Sequence, residues 1–148
     1  LKMMSAVCSD GGRITGPHLK EMSRLTHTEY VLRGRSRLDP REILRETMFA
    51  PTVTGSPMQN ACTVITRHET SPRGYYSGVA ALFTPRTDLV LEGESTHDLD
   101  APILIRTAYL ADGRLRVPVG ATLVRHSDPY GEVGETHGKA AGVLGAIG

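Results

Sequence analysis

The chain has few cysteines, no tryptophan and no long apolar run, and each shortage excludes a class of protein. Its two cysteines, Cys8 and Cys62, fit neither the spacing of a metal site nor a disulfide framework, which indicates a reducing compartment and a cytoplasmic location. Apolar runs such as APILI are much shorter than the about 18 residues that a membrane span needs, so no membrane association is predicted.

Nucleic-acid binding is disfavoured by the distribution of charge and by the scarcity of aromatic residues. The 17 basic residues are scattered among 16 acidic ones, and the net charge is only +1. With two phenylalanines and no tryptophan, the chain offers few platforms on which bases could stack. A length of 148 residues with 39% hydrophobic content suits a single domain that handles a small ligand.

Strands and helices can be assigned from residue preferences and from cap residues. The segment THTEYVLRGRS, residues 26–36, is rich in β-branched and aromatic residues, which predicts a strand. Asp39 and Pro40 are typical of a helix N-terminus, and Pro51 is predicted to end that helix. Ser56 is predicted to cap a second helix.

The C-terminal third contains a hairpin signal and a helix start. Ala111-Asp112-Gly113 separates two apolar segments and predicts a tight turn between strands. Asp128 and Pro129 predict the start of a final helix. The expected fold class is therefore α+β, with antiparallel sheets and flanking helices.

The final helix carries Glu132, Glu135 and Lys139 on one face, because residues three and four apart are neighbours on a helix. Such a pattern is usually a solvated surface. However, glycines recur beside it at steps of three and four, which leaves an open stripe along the helix. Two carboxylates beside an open groove also suit Mg²⁺. Both interpretations stay open on the residues alone.

Four further segments have a structural and a functional interpretation. Arg106 in ILIRTA is predicted to lie in a buried strand, where it needs a protein carboxylate or an anionic ligand. Tyr76 in RGYYSG packs in the core or offers its hydroxyl to a site. The Gly120-Ala121-Thr122 segment is predicted at a strand end, as a bulge or as a carboxylate-binding backbone. The turn that contains Thr52 could be a simple cap or an anion site.

Taken together, the segments resemble the C-terminal half of the chorismate-utilising enzymes of the anthranilate synthase component I family. Seven motifs occur in the family's order over nearly the whole chain: SDGGR, SRLTHTEYVLRG, FAPTVTGSPMQNACTVI, SPRGYYSGVAAL, ILIRTA, VPVGATLV and SDPYGEVGETHGKAAGVL. The sequences of these motifs are most similar to those of the phenazine-type branch, the 2-amino-2-deoxyisochorismate synthases. The resemblance implies the C-terminal half of the chorismate-binding fold.

The resemblance also implies roles for individual residues. Glu135 matches a glutamate that binds the Mg²⁺ cofactor, Glu132 is the accompanying acidic residue, and Lys139 is the catalytic lysine that follows. Arg106 and Tyr76 match residues that hold the carboxylates of chorismate.

Three loop residues match the family and two depart from it. Thr52 matches the threonine of the family's Gly-Thr-x-Ser-Gly turn, which implies a catalytic role for it. Gly120 and Ala121 match the start of the family's substrate-binding Gly-Ala-Gly loop, whose last glycine is replaced by Thr122. Met58 stands where a lysine is common, and we have no interpretation of that change.

A tyrosine stands where the anthranilate-forming relatives have the histidine that helps to eliminate pyruvate. The first histidine of that pair is His27, but the second position is Tyr30. Tyrosine has an ordinary pKa of about 10, against about 6.5 for histidine, and is a poor proton shuttle near neutrality. The departure predicts that chorismate is aminated to 2-amino-2-deoxyisochorismate and keeps its enolpyruvyl group.

The resemblance finally implies partners that this chain does not contain. The N-terminal half of the synthase domain is expected before residue 1. A glutamine amidotransferase that supplies ammonia is expected after residue 148, and the longer protein is expected to be a homodimer. The isolated chain is predicted to be inactive and marginally stable. The alternatives are a full anthranilate synthase, or a non-catalytic module that binds chorismate or partners.

Overall fold

A computed structural model describes residues 6–22, 25–88, 92–93 and 95–148. Within these ranges the chain forms the following elements, in order: β1 (Arg13–Met22), β2 (Leu25–Arg33), α1 (Pro40–Thr47), α2 (Pro51–Thr54), α3 (Met58–His68), β3 (Leu82–Pro85), β4 (His97–Asp100), β5 (Tyr109–Ala111), β6 (Arg114–Arg116) and α4 (Pro129–Ile147). These strands form antiparallel pairs: β1 with β2, β3 with β4, and β5 with β6. The α+β prediction is confirmed. None of the described helices is long and apolar enough to cross a bilayer.

The chain divides into two compact units. The first contains Leu1–Met48 and Ala81–Ala101, and the second contains Phe49–Ala80 and Pro102–Gly148. The first unit therefore holds β1 to β4 and α1, whereas the second holds the remaining elements.

A long antiparallel ribbon, β1–β2, dominates the first unit. Its register runs from Arg13 opposite Arg33 to Met22 opposite Leu25, with an irregularity between Thr15 and His18. Gly16 lies at this irregularity with a φ of +122°, and a Cβ there would lie 2.7 Å from a main-chain oxygen of β2, so the position requires glycine. The strand predicted at residues 26–36 is confirmed as β2, except that it ends at Arg33 and residues 34–36 lie outside it.

The first unit also shows how local signals set the ends of elements. At the start of α1, Asp39 accepts a hydrogen bond from the Arg41 N–H (2.9 Å), and Glu42 accepts one from the Asp39 N–H (3.3 Å). This capping box satisfies N–H groups that the first turn leaves unpaired. Pro51 was predicted to end this helix, and that prediction is wrong. The helix already ends at Thr47, and Pro51 begins the one-turn helix α2.

The second unit contains the predicted hairpin and two further helices. Asp112 and Gly113 both have positive φ, 51° and 70°, as a two-residue turn between β5 and β6 requires. The N-cap predicted for α3 is shifted by one residue: Pro57 occupies the cap position and has no side-chain hydrogen bond, so the Ser56 hydroxyl does not cap the helix.

The glycine-rich final helix, α4, begins as predicted and lies open along its glycine stripe. The Asp128 carboxylate accepts a hydrogen bond from the Gly131 N–H (2.7 Å), and Pro129 is the first helical residue. A Cβ at Gly134, Gly138 or Gly142 would meet no atom within 4 Å. Helix α4 has no buried residue, and in the described part of the chain Val7 is the one buried apolar side chain.

Candidate functional site

Lys139 is held by two acceptors in the second unit. Its Nζ donates to the main-chain carbonyl of Gly120 (3.0 Å) and forms an ion pair with the Glu135 carboxylate one helical turn earlier. The Lys139 side chain is only 14% exposed, against 50% for that of Glu135. The spacing of four residues on α4 places this pair, and the contact with Gly120 ties the helix to the loop that follows β6.

The Tyr76 hydroxyl lies on the face of Gly120 from which a side chain would project. A Cβ built on Gly120 would lie 2.8 Å from the Tyr76 hydroxyl oxygen. The tyrosine is half-buried. A tyrosine hydroxyl and a lysine ammonium are thus brought to one loop residue, although Tyr76 and Lys139 are far apart in sequence.

Thr122 links the loop to helix α2. Its Oγ1 donates to the main-chain carbonyl of Thr52 (2.9 Å), a hydrogen bond that a glycine at position 122 could not make. The segment Gly120-Ala121-Thr122 was predicted at a strand end, and that prediction is wrong. Strand β6 ends at Arg116, and residues 117–126 are irregular. Pro118 has no N–H to donate to a ladder, which explains why the strand does not continue.

Arg106 is not a buried strand residue, so that prediction is wrong. It is exposed and has a φ of +53°, in the left-handed region. The run ILI pairs with the chain at Val79 through an isolated bridge at Ile103, after which the Ile105 N–H donates to the Ile103 carbonyl (2.9 Å). This turn uses backbone groups that a strand needs for its ladder. Arg106 forms no salt bridge with any residue that the structure describes.

The two glutamates of α4 differ in surroundings. Glu132 is half-buried in the first turn, where the helix dipole favours a carboxylate, and Glu135 is exposed and paired with Lys139. No group of three or more histidine, cysteine, aspartate or glutamate side chains is arranged for a metal among the described residues. Two carboxylates one turn apart nevertheless fit the way Mg²⁺ binds when waters and substrate oxygens complete its shell.

An ion pair between Glu69 and Arg73 lies next to the site and was missed from the sequence. Arg73 Nε and Nη2 donate to the two Glu69 carboxylate oxygens at 2.8 and 2.5 Å. These hydrogen bonds lower the pKa of the Glu69 carboxyl and raise the pKa of Arg73. The spacing of four residues between a glutamate and an arginine was the signal that could have revealed the pair.

Tyr30 belongs to the first unit. It lies in β2 opposite the irregular part of the ribbon and is 53% exposed. His27, in the same strand, is also exposed. The structure thus brings together Lys139, Glu135, Gly120 and Tyr76, links Thr122 to Thr52, and leaves Arg106 and Tyr30 outside these contacts.

The chain belongs to the family of chorismate binding enzymes, whose sequence profile matches residues 2–145. The family predicted from the seven motifs is confirmed. Among individual proteins, the chain is 53% identical over 148 residues to a protein of Pseudomonas fluorescens named anthranilate synthase, phenazine specific. It is 52% identical over 148 residues to the protein of the same name in Pseudomonas chlororaphis. It is also 34% identical over 134 residues to anthranilate synthase component 1 of Vibrio cholerae serotype O1.

These relatives are several times longer than the chain. The two Pseudomonas alignments cover 99% of the chain but 22% of each relative. The Vibrio cholerae alignment covers 87% of the chain and 24% of the relative. The chain therefore spans about a fifth to a quarter of the curated relatives it matches.

Proposed function

We propose that this chain is part of a Mg²⁺-dependent synthase that aminates chorismate to 2-amino-2-deoxyisochorismate. The observation that carries the proposal is the meeting of the Tyr76 hydroxyl and the Lys139 ammonium at Gly120, within a chain of the chorismate binding family. The name of the two Pseudomonas relatives, which refers to phenazines, supports the phenazine-type reaction. In this reaction ammonia adds at C2 of chorismate, and the 4-hydroxyl leaves as water.

Three residues of the second unit would bind the dianionic substrate. Tyr76 can donate a hydrogen bond to one substrate carboxylate, and Arg106, being exposed, has a guanidinium available to another. Lys139 supplies a fixed positive charge beside the substrate, because its ammonium is already held by the protein.

The loop and α2 would complete the substrate site. Gly120 and Ala121 can present main-chain groups to the substrate, since a glycine allows close approach. The bond between Thr122 and Thr52 fixes the loop against α2 and so orders the turn that contains the Thr52 hydroxyl. In this chain a threonine side chain thus supports the loop at the place where the family has glycine.

Glu132 and Glu135 are the residues that would hold Mg²⁺. Both provide hard oxygen ligands on one face of α4. When bound, the ion would supply positive charge to the substrate oxygens that complete its shell. The ammonium of Lys139 would keep the Glu135 carboxylate oriented along the helix.

Tyr30 is proposed to determine that the reaction stops after amination. In the complete synthase, supplied with chorismate, Mg²⁺ and glutamine, we expect Tyr30→His to produce some anthranilate and pyruvate, because histidine can shuttle a proton near pH 7. Thr28→His is the matched control, since Thr28 lies two residues away in the same strand, and it should leave the product unchanged. A fully active Tyr30→His enzyme that still releases only the aminated product would contradict this role.

A complete anthranilate synthase is the second candidate, because both names among the relatives include anthranilate synthase. Product analysis of the complete wild-type protein separates the two. Release of anthranilate and pyruvate would favour the second candidate, and no turnover would favour a non-catalytic module.

The proposal also includes an amidotransferase as the source of ammonia and a homodimeric synthase. Loss of glutamine-dependent, but not ammonia-dependent, activity after removal of the amidotransferase would test the first of these.

A further inference from the structure

The guanidinium of Arg73 contacts three separate parts of the second unit. Besides the two bonds to Glu69, its Nη1 donates to the main-chain carbonyl of Val53 (3.0 Å) and to the Ser77 hydroxyl (3.2 Å). The Arg73 side chain is 25% exposed, so these bonds are partly shielded from water. One planar group thus connects α2 and the turn after α3 to the end of α3.

The partners of Arg73 are the immediate neighbours of the proposed site residues. Val53 follows Thr52 in α2, and Ser77 follows Tyr76. The guanidinium carbon of Arg73 also lies 6.0 Å from the centre of the Tyr76 ring, within the range of a cation–π contact. The Tyr76 N–H donates to the Arg73 carbonyl (3.2 Å).

Ser77 shows that the backbone beside Tyr76 is held in an unusual conformation. It is buried and has a φ of 72°, which is unfavourable for a residue other than glycine. Such a conformation persists only where the surroundings hold it. Here the Ser77 N–H donates to the Leu104 carbonyl (3.2 Å), and its hydroxyl accepts from Arg73. Because Ser77 directly follows Tyr76, the bonds that hold Ser77 also restrain the backbone from which the Tyr76 side chain projects.

We propose that Arg73 is a positioning residue that places the Tyr76 hydroxyl beside Gly120. The inference rests on the proposed function, in which Tyr76 binds a carboxylate of chorismate. Lysine could not replace it, because its single ammonium lacks the planar set of donors that bonds a carboxylate, a carbonyl and a hydroxyl together. Arg73 itself does not need to touch the substrate.

The first part of the test compares three variants of the complete synthase. Arg73→Met and Arg73→Lys should raise the KM for chorismate by about tenfold, the size expected when a hydrogen bond to a charged group is lost. Arg67→Met is the matched control, because Arg67 is an exposed arginine in the last turn of α3, and its KM should not change. If Arg73→Met fails to fold, Arg73→Lys keeps the charge and carries the test.

A purely structural role would lower kcat by reducing the amount of folded enzyme and would leave the KM unchanged. That result, or an equal rise in KM for Arg67→Met, would overturn the inference. The second part of the test repeats Arg73→Lys in a Tyr76→Phe background, where no hydroxyl remains to be positioned. The KM effect of Arg73→Lys should then disappear.

The outcomes in that background separate the two proposals. If Tyr76→Phe raises the KM and Arg73→Lys raises it further by the same factor as in the wild type, Arg73 does not act through the hydroxyl. Only the present inference is then overturned. If Tyr76→Phe alone leaves the KM unchanged, Tyr76 does not bind the substrate, and the site proposed above fails together with this inference.

Discussion

The substitution Gly120→Ala should impair the site through a single contact. The added Cβ would lie 2.8 Å from the Tyr76 hydroxyl oxygen, whereas ordinary contact begins at 3.4 Å, so the hydroxyl must move by about 0.6 Å, the difference of the two values. The next two ring atoms of Tyr76 would lie at 3.6 and 3.7 Å, which is already ordinary contact. The φ of Gly120 is not in the left-handed region, so its backbone accepts alanine.

The size of the effect follows from what the hydroxyl is proposed to do. A hydrogen bond to a charged group contributes about 1.5–3 kcal/mol. Since about 1.4 kcal/mol corresponds to a factor of ten, displacing the hydroxyl should lower kcat/KM for chorismate by about 10- to 100-fold. The bond from Lys139 should remain, because its acceptor is the main-chain carbonyl of Gly120.

The assay measures kcat/KM for chorismate in four forms of the complete synthase: wild type, Gly120→Ala, Tyr76→Phe and the double variant. Phenylalanine lacks the atom that clashes, so the double variant should be no worse than Tyr76→Phe alone. If Gly120→Ala lowers kcat/KM in the Tyr76→Phe background as much as in the wild type, the reasoning is refuted, because the penalty would then have another origin.

Three further predictions concern stability, the first two in the complete synthase and the third in the isolated chain. Gly134→Ala should leave the KM unchanged and raise stability by up to about 1 kcal/mol, because the new Cβ meets no atom within 4 Å and alanine favours a helix; a rise in KM would show that this part of α4 approaches the substrate. The pKa of the Glu69 carboxyl is lowered by Arg73 from an ordinary 4.5, so the pair stabilises the fold above that pH, and its contribution is lost as the pH falls through the lowered pKa. Glu69→Gln should therefore lower the free energy of unfolding near pH 7 by about 0.5 kcal/mol, a value reduced by solvent exposure, and the difference from wild type should vanish in acid; a difference independent of pH would exclude the ion pair as its cause. The isolated chain should show neither a cooperative melt nor stabilisation by chorismate, since Val7 is its one buried apolar side chain in the described part; either observation would contradict this.

The features that the sequence predicted correctly depend on interactions between near neighbours. Asp39 and Asp128 cap helices through N–H groups two or three residues away, and Asp112-Gly113 forms its turn without distant partners. Residue preferences at these positions are therefore sufficient. Family resemblance, rather than spacing, identified Tyr76 and Gly120, which contact each other although they are distant in sequence.

The errors arise where tertiary contacts or backbone geometry decide. The apolar run before Arg106 suggested a buried strand, but the turn at Ile105 ends the pairing and leaves the arginine exposed. Apolar composition does not report such a turn. The spacing of four residues could have revealed the pair of Arg73 with Glu69, but no local pattern indicates the bond of Arg73 to the Val53 carbonyl, which lies 20 residues away in the sequence.

The two bonds of Lys139 limit how a substrate can reach it. An ammonium group has three N–H donors, and the Gly120 carbonyl and the Glu135 carboxylate accept two of them. One N–H remains, so an incoming oxygen atom has a single direction of approach that leaves both bonds intact. Ordering a free lysine side chain costs about 1.5–2 kcal/mol of rotamer entropy. In this chain that loss occurs during folding, so it does not weaken the binding of the substrate.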